Sequence, residues 1–114
     1  MNEELTEISM KIILRAGNAR ALIKQALDLV AANRPADAEA KLEEARKEQT
    51  VAHETQTDII QDAAEGKGPG IEYSLLFSHA QDTLMTVTSE LMIAKQLLLI
   101  YRSLDKRISD LERN

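Results

Sequence analysis

Residues 75–101 read LLFSHAQDTLMTVTSELMIAKQLLLIY, and two seams run through them. The first is Phe77, Ala80, Leu84, Val87, Leu91, Ala94, Leu98, Tyr101, in strict alternation of three and four residues. That alternation follows one face of an α-helix. The second is Leu75, Ser78, Asp82, Met85, Ser89, Met92, Gln96, Leu99, with the same alternation offset by two residues. It therefore lies on nearly the opposite side. A helix apolar on two sides needs two things to pack against. Other helices of the chain can cover the first seam, whereas the second asks for another subunit. The stretch predicts an all-α protein that forms a homo-oligomer through this helix. Polar members of the second seam would fix register at some cost in stability, as buried polar residues do in coiled coils.

Two breaks lie upstream. Glu65-Gly66-Lys67-Gly68-Pro69-Gly70 holds three of the four glycines, and Asn33-Arg34-Pro35 offers a proline suited to the first position of a helix. The periodic segments between them predict helices over about 5–32, 35–63 and 73–111. They form an antiparallel three-helix bundle, a single domain covering 1–114. Helix one carries Ile8, Ile12, Ala16, Ala19, Ile23, Ala26 and Val30 as a stripe, broadened by Leu5, Leu22 and Leu29. Gly17, which costs roughly 1 kcal/mol against Ala inside a helix, marks a bend or a close helix contact. Helix two has a thinner stripe: Ala38, Leu42, Ala45, Gln49, Ala52, Gln56, Ile59, Ala63. Its other faces are charged, with Asp37–Lys41 and Glu43–Lys47 as supportive i,i+4 pairs.

The composition narrows the function. Ala, Leu, Ile, Met, Glu and Lys favour packed helices, and aromatics are only 3 %. A net charge of −5 argues against a nucleic-acid partner, which needs clustered Lys and Arg. The absence of cysteine excludes disulfides, thiolate metal sites and a cysteine nucleophile within this chain. The first residues, MNEELTEISM, are acidic where a signal peptide is basic and then apolar. The longest uninterrupted apolar run is Leu97–Tyr101, far short of a membrane span. Together these predict a cytoplasmic protein. The phosphate loop ending in GK[ST], HExxH and GxSxG are all absent.

Two residues of the 75–101 stretch carry the candidate chemistry. Asp82 lies in the second seam: an exposed acid in a monomer, but in an oligomer a carboxylate facing its own symmetry mates. Like carboxylates meeting at an axis share protons or bind a cation. His79 lies one turn earlier and about 60° around, at ~100° per residue. Thr83, Thr86 and Glu90 continue its face as a polar strip. A neutral imidazole there can act as a nucleophile towards phosphorus, and the helix start favours the phosphate once attached. A surface histidine with no task is the alternative. His53 belongs to the charged side of helix two and lacks acid-rich metal spacing.

The stretch His79-Ala80-Gln81-Asp82-Thr83-Leu84-Met85-Thr86 resembles HAQDHLMT, the signature of the IIA component of the lactose/cellobiose (and chitobiose) branch of the bacterial sugar phosphotransferase system. Ala52-His53-Glu54-Thr55-Gln56-Thr57 resembles the family's AHxxQT, and Ala64-Glu65-Gly66-Lys67 and Ala16-Gly17-Asn18-Ala19-Arg20 agree in order and spacing. The resemblance implies a homotrimer of three-helix subunits in the bacterial cytoplasm. It implies a phosphotransferase component in which His79 accepts a phosphoryl group from HPr and passes it to a cysteine of a IIB component. This serves uptake of a disaccharide such as cellobiose, chitobiose or lactose through a membrane IIC permease. Gln81, Thr83 and Thr86 are then the expected phosphate environment. Asp82 becomes the axial carboxylate holding a divalent ion, usually magnesium. Leu75, Leu76 and Phe77, where exposed, would dock partners. Thr83 departs from the family, which usually has a second histidine there. The competing readings are a non-catalytic helical adaptor that retains the fold, and a metal-binding bundle using His53.

Overall fold

The computed structural model describes residues 2–114. Three helices account for almost all of them: α1 over Glu3–Ala31, α2 over Pro35–Ala64 and α3 over Leu75–Arg113. Each boundary falls within two residues of its expected place, and no strand occurs among the described residues.

The ends are set by local chemistry. Asn2 caps α1, its side chain accepting from the Leu5 N–H at 3.0 Å, and Ser74 caps α3 by accepting from the Phe77 N–H at 3.1 Å. The two C-termini use one device. Past α1, the Asn33 and Arg34 N–H groups donate to the Val30 and Leu29 carbonyls. Past α2, Gly66 and Lys67 donate in the same way to Ala63 and Asp62. This reversal needs a left-handed residue, supplied by Asn33 at φ 62° and Gly66 at φ 74°. Pro35 then opens α2, where its missing N–H costs nothing.

The chain runs up, down and up. At the lower end, Asn2 Nδ2 donates to the Pro69 carbonyl at 2.7 Å, tying the start of α1 to the approach of α3. At the upper end, the Tyr101 hydroxyl donates to Asn33, and Arg102 pairs with Glu39 at 2.9 Å. Desolvation, with the Asp105 carboxylate adding to it, pushes the Tyr101 phenol above its usual range, which keeps it a donor.

The first seam of α3 is the core. Phe77, Ala80, Leu84, Val87, Leu91, Ala94 and Leu98 are all buried, and Tyr101 is half-buried. A lower cluster joins Phe77, Ala80 and Leu84 to Leu5, Ile12, Ala52 and Ile59. An upper cluster joins Val87, Leu91, Ala94 and Leu98 to the alanine-rich stripes of α1 and α2. Ser9 is fully buried although Ile8, placed on the stripe by periodicity, is only half-buried. Ser9 Oγ donates to the Leu5 carbonyl at 2.7 Å, so its hydroxyl is satisfied inside the helix. Gly17 interrupts nothing, and a Cβ there would meet no atom within 4 Å, so no close contact within the subunit explains it.

The expected i,i+4 pairs of α2 give way to other partners. Asp37 pairs with Arg34, Lys41 with Glu44, and Glu43 with Arg46. The Arg46 guanidinium holds the Glu43 carboxyl below its ordinary range. The second seam of α3 stays uncovered: Leu75, Met85, Met92 and Leu99 are exposed within the subunit. By length and composition α3 could cross a membrane, with a mean hydropathy of 1.3 over its most apolar window. That average comes from apolar residues on its inner and outer sides, with Glu90 and Lys95 between them.

Candidate functional site

His79 sits just past the first turn of α3, with Phe77 and Ala80 of the lower core cluster behind it. Burial of these neighbours fixes the helix while the imidazole itself is exposed, and no protein group among those described hydrogen-bonds its ring. The Leu75 and Leu76 N–H groups precede it at the open end of the helix, where the macrodipole favours negative charge.

Thr83 and Thr86 continue the His79 face, and their hydroxyls are already engaged. Thr83 Oγ1 donates to the His79 carbonyl and Thr86 Oγ1 to the Asp82 carbonyl, each at 2.8 Å. Their lone pairs point outward, so donation to a phosphate oxygen would require each hydroxyl to leave its carbonyl. Farther along, Glu90 accepts from Arg20 of α1 at 2.8 Å, bridging α1 and α3.

Asp82 is exposed on the second seam, one turn from His79 and on a different side. Among the described residues no group of three His, Cys, Asp or Glu stands close enough to hold a metal ion. A single subunit thus offers one carboxylate at this position. His53 is exposed on α2 and does not join His79 in such a group.

Gln81 is half-buried on the side of α3 facing α2. Gln49 Nε2 donates to Thr88 Oγ1 at 3.1 Å across the same interface. One heptad down in each helix, that register sets Gln56 opposite Gln81. Gln56 Oε1 is buried with no hydrogen-bond partner among the described residues. Such an orphan acceptor is costly. Of the expected docking residues, Leu75 is exposed, Leu76 half-buried and Phe77 buried. Phe77 belongs to the core and cannot dock a partner. A groove of about 600 Å³ between α2 and α3 is lined by Ala36, Leu42, Lys95, Leu98, Leu99 and Arg102 at the far end from His79.

A lone exposed histidine on a capped helix start, backed by a core and flanked by hydroxyls, is what known relatives place in context. Residues 7–102 match the model of the lactose/cellobiose-specific IIA subunit of the PTS system. The chain belongs to this family. The IIA chain is 36 % identical over 110 residues to the lichenan-specific phosphotransferase enzyme IIA component of Bacillus subtilis, covering 94 % of this chain and 96 % of that protein. It is 39 % identical over 97 residues to the N,N'-diacetylchitobiose-specific EIIA component of Escherichia coli K12, covering 84 % and 78 %. The crystal structure of PtcA from S. mutans superposes with a TM-score of 0.84 at 37 % identity, covering 90 % of this chain and 98 % of that one. The solution structure of the IIA(Chitobiose)–HPr complex of E. coli superposes at 0.75 and 34 % identity, covering 90 % and 97 %. The protein is thus a IIA component of the sugar phosphotransferase system.

Two features of this IIA chain escape sequence reading. The orphan Oε1 of Gln56 is invisible to periodicity, which reports a residue's face and not its partners. The internal bonding of Thr83 and Thr86 had a signal, since threonine in a helix often donates to the carbonyl four residues back.

Proposed function

We propose that His79 is the phosphoryl carrier of this IIA component, receiving the group from phospho-HPr and passing it to a cysteine of a IIB component. One observation carries the reading: the ring of His79 is open to solvent and free of protein partners at the start of a rigidly packed helix. A carrier must meet two partners in turn, and an exposed nucleophile on a fixed support allows both. The E. coli relative seen with HPr supports HPr as the donor here.

In the first transfer, the Nε2 lone pair of His79 forms the new N–P bond as the bond to the histidine of HPr breaks in line. The leaving imidazole keeps the electron pair. In the second, the IIB thiolate forms an S–P bond and the His79–phosphorus bond breaks. Catalysis is positioning and charge stabilisation, because the nucleophile and leaving group are both supplied. The dipole of α3 stabilises the phosphoryl charge, and Thr83 and Thr86 offer hydrogen bonds once their hydroxyls leave their carbonyls, whereas Gln81, on the α2 side of the helix, faces away from His79 within the subunit. Thr83, in place of the family's usual histidine, remains uncharged at every step. Leu75 and the half-exposed Leu76 supply the apolar contact.

The subunit functions as a homotrimer in the bacterial cytoplasm, with the second seam at its axis and a IIC permease downstream. Its sugar is a disaccharide such as cellobiose, chitobiose or lactose. Three copies of Asp82 would supply an all-oxygen set, suited to a hard cation such as magnesium and unsuited to a soft one. Bound there, the ion would neutralise like charges at the axis.

The test is incubation with phosphoenolpyruvate, Enzyme I and HPr, followed by intact-mass spectrometry. The expected result is one acid-labile phosphoryl group per subunit, absent in His79→Ala. No uptake by the wild-type chain would point to a non-catalytic adaptor.

A further inference from the structure

The core stripe of α2 carries two amides a heptad apart, Gln49 and Gln56, among Ala38, Leu42, Ala45, Ala52 and Ile59. The upper one is satisfied, since Gln49 Nε2 donates to Thr88 Oγ1 at 3.1 Å. The lower one is not: Gln56 Oε1 is buried and accepts from nothing among the described residues. An unmet acceptor in a helix interface costs stability that an aliphatic side chain of similar size would not. Such an orphan calls for a partner that the resting subunit does not engage.

Gln81 is that partner by position. It is half-buried and stands opposite Gln56 in the register set by Gln49 and Thr88. Its amide has two N–H donors. One N–H given to Gln56 Oε1 leaves the second for a group outside the subunit.

The helical wheel of α3 says what that group is. About the centre of Leu75, Ser78, Asp82 and Met85, His79 lies roughly 80° to one side and Gln81 roughly 80° to the other, at ~100° per residue. The two differ in height by about 3 Å, at ~1.5 Å per residue. Copies related by a rotation axis along that seam are parallel, and one flank of each meets the opposite flank of the next. Gln81 of one copy then borders His79 of the next, although within one subunit the two face apart. The phosphoryl group on that histidine offers charged oxygens, to which an amide N–H donates a charge-assisted hydrogen bond.

We propose that Gln81 hydrogen-bonds the phosphoryl group on His79 of the neighbouring copy, and that Gln56 is the positioning residue that orients the Gln81 amide for it. The proposal rests on the carrier role of His79 and the assembly inferred above, and adds a side chain that each subunit lends to the next. Gln56 Oε1 gains its donor when Gln81 turns to the phosphoryl group, so the bond forms in the phosphorylated assembly and not in the resting subunit.

Transfer kinetics from phospho-HPr test it on the full chain, with circular dichroism and urea unfolding on each variant. Gln81→Leu should lower kcat by more than about tenfold, the equivalent of about 1.4 kcal/mol, with KM for phospho-HPr little changed. Gln56→Leu should lower kcat by about three- to tenfold, while its unfolding in urea stays the same or moves to higher concentration. The double variant should be no slower than Gln81→Leu alone, because Gln56 acts only through Gln81. Co-refolding His79→Ala with Gln81→Leu tests the exchange between copies. The mixed assemblies should transfer faster per intact His79 than Gln81→Leu alone, since Gln81 of the inert copy borders the live histidine. Absence of that gain overturns the proposal. So does an additive double variant, or a Gln56→Leu chain that loses activity and stability in step. Should the leucine variants not fold, Gln81→Met and Gln56→Met, similar in length and without the amide, take their places. A wild-type chain that accepts no phosphoryl group fails the carrier reading itself, whereas full activity in the glutamine variants fails only this inference.

Discussion

Below Glu90 the outer strip of α3 carries a histidine and two threonines; above it, the same strip carries six aliphatic residues up to Leu111. The lower part lies over a packed core cluster and is held by a capped, tied-down helix start. The upper part is backed by the upper core cluster as far as Leu98, and beyond Arg102 it leaves the bundle. A group that must meet two partners needs solvent access and a rigid base. A surface that joins copies needs apolar area and can dispense with a base until the copies meet. One helix face changes composition along its length, polar up to Glu90 and aliphatic beyond it.

Five substitutions press on that division, beginning with the largest effect. Leu84 and Met85 are adjacent, yet Leu84 is 1 % exposed and Met85 65 %. Leu84→Ala should destabilise the subunit by about 2–5 kcal/mol through a core cavity. Met85→Ala should leave subunit unfolding almost unchanged and weaken association. Denaturation at several protein concentrations separates the two, and equal effects would erase the distinction between core and outer seam.

Asp82→Leu should raise the thermal midpoint, stabilising the assembly by about 1–4 kcal/mol as like carboxylates give way to apolar packing. A steep fall would remove Asp82 from the axis. Gln56→Leu should be neutral or stabilising by about 1 kcal/mol, because it removes a buried acceptor that has no partner. A loss of stability in urea would mean that Gln56 finds a donor in solution, with Gln81 placed to provide it. Smallest is Arg20→Ala, which breaks the exposed pair with Glu90. Its effect should stay within about 1 kcal/mol and shrink with added salt.

Much of this architecture was legible in the residues. The strict three-four alternation from Phe77 to Leu98 named every core residue of α3, because burial on a straight helix follows its period. The breaks at Asn33-Arg34-Pro35 and at the glycines of 66–70 placed the turns, because a left-handed residue and a proline act locally. Phe77 shows the limit, since its place in the core seam ruled out the docking role that its proximity to His79 suggested. The aliphatic strip above Ile93 was harder to see. It starts as a polar strip, and its meaning depends on where α1 and α2 end. His79 and Asp82 were conspicuous as residue types in the signature stretch. The orphan oxygen of Gln56 and the occupied hydroxyls of Thr83 and Thr86 depend on side-chain geometry that no period encodes.

The chain has only two histidines, which makes the central claim directly measurable. A two-dimensional ¹H–¹⁵N spectrum of the imidazole rings, recorded before and after reaction with phospho-HPr, would follow both at once. The Nε2 of His79 alone should acquire the shift and phosphorus coupling of a phosphorylated nitrogen, with His53 unchanged. Phosphorylation at His53, or at neither ring, would contradict it.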